Sequence, residues 1–229
     1  MTTTYDWPTS FGVNRFELRI SHNTRAFITP YGSTSQVLNY TGERWCGMIG
    51  LTLGNSRTQG GAQEAFFDRL YGMANRIRLW NFRRPQPLGT LRGGASVNVV
   101  NGALAPVTVV NSSLATVLVV GGDPVNTNEI AIGDGTATLQ TYPGRTLLAG
   151  DHIGIANGQN VRIMADATAD GSGVMVIEFQ PRARAVVPAS SVILWDKPTF
   201  EVMLKSDGAP ITWRPGMYEE TSLEFIEAI

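Results

Sequence analysis

The segment Phe16-Glu17-Leu18-Arg19-Ile20 places apolar side chains at every second position, the period of a strand that buries one face. The same alternation returns near the carboxyl end in Phe200-Glu201-Val202-Met203-Leu204 and Ser222-Leu223-Glu224-Phe225-Ile226. Between them lie short apolar runs rich in Val and Ile: Val97-Asn98-Val99, Val107-Thr108-Val109, Leu114 to Val120, His152 to Ile155, Val161 to Met164, Gly173 to Phe179 and Ser191 to Trp195. Turn residues separate these runs, Gly121-Gly122-Asp123, Asp134-Gly135 and Asp170-Gly171 among them. Short strands at such spacing predict a mainly β protein, a sandwich or small barrel. One stretch has another period. Ala62, Phe66, Leu70, Met73 and Ile77 recur at steps of four, four, three and four, which predicts a helix from Gly61 to about Arg76 with these five side chains against a sheet. Thr58 is the expected N-cap, Glu64 adds negative charge to the first turn, and Arg76 and Arg78 add positive charge at the end, all favourable to the helix dipole.

From Gly93 to Gly122 the chain has no charged residue and no histidine, and the β-rich region that begins there is expected to last until Asp196-Lys197-Pro198. The expectation is a discontinuous outer domain, residues 1–92 and 197–229, carrying an inserted β domain, residues 93–196.

Composition narrows the function classes. Charged residues are 16% and hydrophobic ones 43% of 229 residues, so disorder is excluded and a surface partly covered by other protein is expected. A net charge of −1 provides no field for coating nucleic acid. Cys46 is the single cysteine, so no intrachain disulfide forms. The start MTTTYDWPTS lacks the pattern of a secretory signal, and no apolar run is long enough to cross a membrane, which predicts a soluble chain made in a reducing cytoplasm.

Catalytic signatures are missing. There is no Walker loop, no Gly-x-Ser-x-Gly elbow and no His-Glu-x-x-His, and neither His22 nor His152 sits in a nucleophile motif. Asp166-Ala-Thr-Ala-Asp170-Gly171 resembles the start of a calcium loop, but Ile177 stands where the bidentate carboxylate belongs, so the segment reads as a turn. No enzyme activity, metal or cofactor is implied.

Charge is unevenly placed. Arg76, Arg78, Arg83, Arg84 and Arg92 fall in a stretch with no acid between Asp68 and Asp123, whereas Glu219, Glu220, Glu224 and Glu227 crowd the carboxyl end. Arginine forks pair with carboxylates in bidentate fashion. Either the two patches meet between neighbouring copies in a head-to-tail ring, or they pair within one chain or stay solvated.

Trp45 before the strand Met48 to Leu53, the helix around Glu64 to Met73 ending in Gly72-Met73-Ala74-Asn75, and Ile77-Arg78-Leu79-Trp80-Asn81-Phe82 together resemble tail-tip proteins of long-tailed bacteriophages. The inserted part extends the resemblance through Leu147 to Ile155, Val161 to Ala169, Asp170-Gly171-Ser172-Gly173 and Ile177 to Arg184. The order of turns and strands is similar to that of distal tail proteins, and covers most of the chain outside about residues 93–140. The resemblance implies a tail-tube-like β-sandwich with one flanking helix and an inserted small β-barrel or sandwich. It further implies a hexameric ring at the end of the tail tube, linking tube protein to hub and baseplate proteins, with DNA only as passing cargo. The virion tail tip would be its location. A major tail tube or connector ring protein would share the outer fold. A carbohydrate-binding module stacking sugars on Trp80, Trp195 and Trp213 is the reading from another class.

Overall fold

The computed structural model describes residues 2–28, 35–52, 57–91, 99–100, 106–107, 123–156, 158–208 and 220–228. The readings at Leu114 to Val120, Arg92, Trp213 and Glu219 lie outside these residues.

The protein is mainly β. In chain order the outer part holds β1 (Thr4–Asp6), β2 (Val13–Ile28), β3 (Ser35–Thr52), α1 (Arg57–Asp68) and β4 (Arg76–Trp80). A small hairpin follows, β5 (Val99–Val100) with β6 (Pro106–Val107). Next come β7 (Val125–Asn126), β8 (Thr136–Gln140), β9 (Thr146–Leu147), β10 (His152–Ile155), β11 (Gln159–Ile163), β12 (Ala167–Thr168) and β13 (Val174–Gln180). The chain then closes the outer part with β14 (Thr199–Leu204) and β15 (Glu220–Glu227).

The first and last segments build one six-stranded sheet, ordered β1-β4-β14-β15-β3-β2, so strands far apart in sequence become neighbours. Only the β1–β4 pair is parallel. The middle segment builds a five-stranded sheet, ordered β10-β11-β13-β8-β7, and a β9–β12 pair. Two hydrophobic clusters follow this division. Trp45, Ile49, Leu79, Phe200 and Phe225 belong to one, and Leu139, Leu147, Ile153, Ile163 and Phe179 to the other. Leu91 packs with the second cluster.

Alternation explains the strands. In β14 the pattern Phe200, Val202, Leu204 faces the core, and in β13 Met175, Ile177 and Phe179 do the same. Ser191 to Trp195, expected as a strand, joins the sheets only through isolated bridges at Val192 and Leu194.

The helix differs from its sequence reading. It spans Arg57–Asp68, so Thr58 lies within it, Glu64 is past its first turn, and Arg76 and Arg78 belong to β4. The cause of the early end is local: Tyr71 and Gly72 take left-handed conformations with φ of 47° and 65°, which stops helical hydrogen bonding. Asn75 secures the turn by donating from Nδ2 to the Arg69 carbonyl at 2.8 Å and accepting from the Thr3 amide at 3.0 Å. The buried face is also rotated. Gln63, Phe67 and Leu70 are buried, Phe66 is half-buried, and Ala62 and Met73 are exposed; Ile77 is buried, but on β4. Phe66 still meets Tyr5, Trp7 and Phe11 edge-on, at centroid distances of 6.4, 6.2 and 5.4 Å. Aromatic contacts of this kind stabilise beyond the area they bury.

Candidate functional site

Four of the eight charged residues expected at a subunit interface, Arg76, Arg78, Glu224 and Glu227, are engaged inside the chain. Arg76 donates to Glu201 at 3.0 Å, and Arg78 donates to Asp6 at 3.0 Å with a longer contact to Glu201. Glu224 pairs with Lys205 at 2.9 Å, and this hydrogen bond and charge hold its carboxyl below its ordinary value. Glu227 is a correction: it is 2% exposed and turned inward, because β15 alternates and its odd-numbered positions face the core. Glu220 opens β15. Arg83 is exposed and Arg84 half-buried, and neither has a carboxylate partner among the described residues.

The two cores meet across a polar seam. Trp45, wholly buried on β3, donates from its indole nitrogen to the Asn160 carbonyl on β11 at 2.7 Å. The Trp45 ring lies 5.3 Å from His152 on β10, and the Arg162 guanidinium sits 5.0 Å from the Trp45 centroid. Asn160 fixes the imidazole: its amide nitrogen donates to the Pro198 carbonyl at 2.6 Å, leaving its oxygen to accept from His152 Nδ1 at 3.0 Å. Nε2 is then free to accept from Arg162 Nε at 3.4 Å, so His152 is neutral. Burial is the main reason its pKa falls from 6.5 to about 4, and the charges of Arg162 and Arg84 lower it further, against the raising effect of Asn160.

At the other end of the seam, Arg184 donates both terminal nitrogens to Glu227, whose second oxygen also accepts the Trp45 amide at 2.9 Å. Burial raises the Glu227 carboxyl, and Arg184 opposes that shift. The Arg184 amide is itself held by Gln159 Oε1 at 2.7 Å.

A second feature lies at the edge of the outer sheet. β2 and β3 pair along nearly their whole length, yet β15 covers β3 only from Cys46 to Thr52. Beyond a register irregularity between Ser21 and Asn23, the two strands continue as a two-stranded arm, from Asn23↔Tyr40 to Ile28↔Ser35. Such irregularities bend a strand away from its sheet. Every side chain from Ser21 to Phe27 is exposed, and so are Val37 and Leu38.

No family model and no curated protein matches this chain.

The remaining sequence candidates have structural partners. Trp80 packs on Phe82 at 4.8 Å with Lys197 over its ring, and the Trp195 indole donates to Asp123 at 2.9 Å. Asp170 accepts the amides of Ser172 and Val174, while Asp166 accepts that of Ala149, as turn carboxylates do. Among the described residues, no group of three or more His, Cys, Asp or Glu side chains is placed to hold a metal ion. No described helix is long and apolar enough to cross a membrane. Sequence reasoning missed the arm, because the alternation that marked Phe16 to Ile20 stops at Ser21-His22-Asn23-Thr24. It also missed the seam, whose pairs Trp45–Asn160 and Arg184–Glu227 are far apart in the chain.

Proposed function

We propose that this chain is a structural subunit of a bacteriophage tail, forming a hexameric ring at the distal end of the tail tube and joining the tube to the hub and baseplate proteins. The observation that carries the reading is the arm of β2 and β3. A two-stranded ribbon is marginally stable alone in water, and this one exposes Phe27, Val37 and Leu38 at 50%, 65% and 47%. Exposed apolar groups on an unsupported ribbon are what a subunit presents when a neighbouring copy completes its surroundings. The low charge content agrees with a surface largely covered in an assembly. A tail tube or connector ring would use the same arm, and differs in the number of rings per particle.

The test is the solution mass of the full chain beside a variant with Phe27, Val37 and Leu38 all replaced by Ser. The intact protein is expected to assemble as concentration rises, and the variant to remain monomeric with unchanged near-ultraviolet circular dichroism. A monomer at every concentration, or assembly indifferent to the substitutions, overturns the reading.

A further inference from the structure

At the junction of the two cores, next to the seam, lies a cleft of about 280 Å³. Phe16 and Leu18 of β2 form its apolar wall, Arg83 and Arg84 reach it from the loop after β4, and His152 and Arg162 enter from β10 and β11. Three arginines therefore line one small space, and among the described residues none that lines it is acidic. None of the three has an ion pair among the described residues. Asp151, buried next to His152 in the chain, already accepts the amides of Leu88, Gly89 and Leu148 with its carboxylate. Glu17, between Phe16 and Leu18 on β2, instead bonds Arg15.

The fold maintains this crowding against its electrostatic cost. Gly150 has φ of 89°, and a Cβ there would stand 2.5 Å from Arg84 Nη1, so the glycine leaves room for the guanidinium to lie close. Arg162 is held over Trp45 and donates to the Leu18 carbonyl at 3.3 Å. Burial, and then the charge of Arg84, push the Arg162 guanidinium below its ordinary value, as expected for like charges facing one space. An oxyanion between them would convert that repulsion into attraction and take charge-assisted hydrogen bonds from the forks.

We propose that this cleft binds a single oxyanion, a phosphate or a carboxylate group, through Arg83, Arg84 and Arg162. Its size suits one such group and not the backbone of a duplex. Because the arginines come from both cores, a bound anion fastens one to the other, so it stabilises the folded chain by mass action. The inference does not depend on the ring reading, since the cleft is complete within one chain.

The test is titration of the full chain with inorganic phosphate and, separately, with acetate, at ionic strength matched by sodium chloride. Two-dimensional nitrogen–proton spectra are recorded of the Trp45 indole and the Arg162 Nε–H group. Saturable shifts of both signals are expected, with a rise in the unfolding midpoint. A response to phosphate alone identifies a phosphoryl ligand, a response to acetate alone a carboxylate, and a response to both a general oxyanion site. R83Q/R84Q should weaken the response about tenfold or more, as loss of charge-assisted hydrogen bonds does. R83Q alone changes one exposed side chain and should weaken it in the same direction if the double variant does not fold. No saturable shift in the intact protein with either anion, or an equal shift in the variants, overturns the proposal.

Discussion

Arg184 of the inserted part grips Glu227 of the last strand with both terminal nitrogens, and the carboxylate so held also accepts the backbone amide of Trp45. One ion pair thus joins three stretches of chain, and both members are shielded, with side-chain exposures of 14% and 3%. A shielded pair costs desolvation, so removing one partner does more harm than the net value of the pair. Arg184→Met should destabilise by about 3–5 kcal/mol in urea titration, because it strands a buried carboxylate. Adding Glu227→Gln, which can still accept the Trp45 amide, should recover most of the loss. A cost below about 1 kcal/mol for the single change would mean that water reaches Glu227.

His152 makes the fold sensitive to acid. Its pKa is about 4 in the folded chain against 6.5 for a free histidine side chain, chiefly because the ring is buried. The folded state therefore binds the proton later than the unfolded one as pH falls. The stability that the neutral ring contributes is fully present above 6.5 and is lost as pH drops from there through about 4. At about 1.4 kcal/mol per unit the loss is about 3 kcal/mol. Subtracting the pH profile of His152→Gln from that of the intact protein isolates this part, and parallel profiles would refute it.

Gly47 lies in β3 where β2 and β15 both approach. A Cβ at this position would stand 2.0 Å from the Glu17 carbonyl oxygen and 2.8 Å from Phe225 Cζ. Backbone cannot yield as a flexible side-chain tip does, so Gly47→Ala should cost about 1–3 kcal/mol or more by overpacking. Gly61→Ala, where a Cβ meets nothing within 4 Å, is the matched control and should be neutral or slightly stabilising. Equal effects of the two changes would contradict the register of β3 against its neighbours.

Phe67 on α1 and Met73 in the turn that follows it give an ordering. Phe67→Ala should cost about 3–5 kcal/mol, whereas Met73→Ala should fall within about 0.5 kcal/mol. Chemical denaturation of both variants checks this, and a larger cost for Met73 would restore the face expected from apolar spacing.

That helix shows why the sequence is only partly legible. Phe66 and Phe67 are adjacent, so the apolar stripe can be drawn through either, and the polar Gln63 on the buried side favours the wrong one. The end at Asp68 depends on left-handed Tyr71, a conformation that a tyrosine does not advertise. Strands are easier: His152 to Ile155 and Phe200 to Leu204 form strands where their apolar patterns place them. The arginine patch is visible in composition, but its division is not. Arg76 and Arg78 find Glu201 across β14, while Arg83 and Arg84 turn to a cleft completed by Arg162. Only the pairing of distant strands brings those groups together, and no local pattern encodes it.

The proposed closure of this chain into a ring is tested most directly by electron microscopy of the protein, concentrated and mixed with a bacteriophage tail-tube protein. Closed particles of sixfold symmetry with an open centre are predicted, each arm of β2 and β3 lying against a neighbouring subunit. Isolated monomers or closed twofold dimers, with Phe27, Val37 and Leu38 facing solvent, would contradict it.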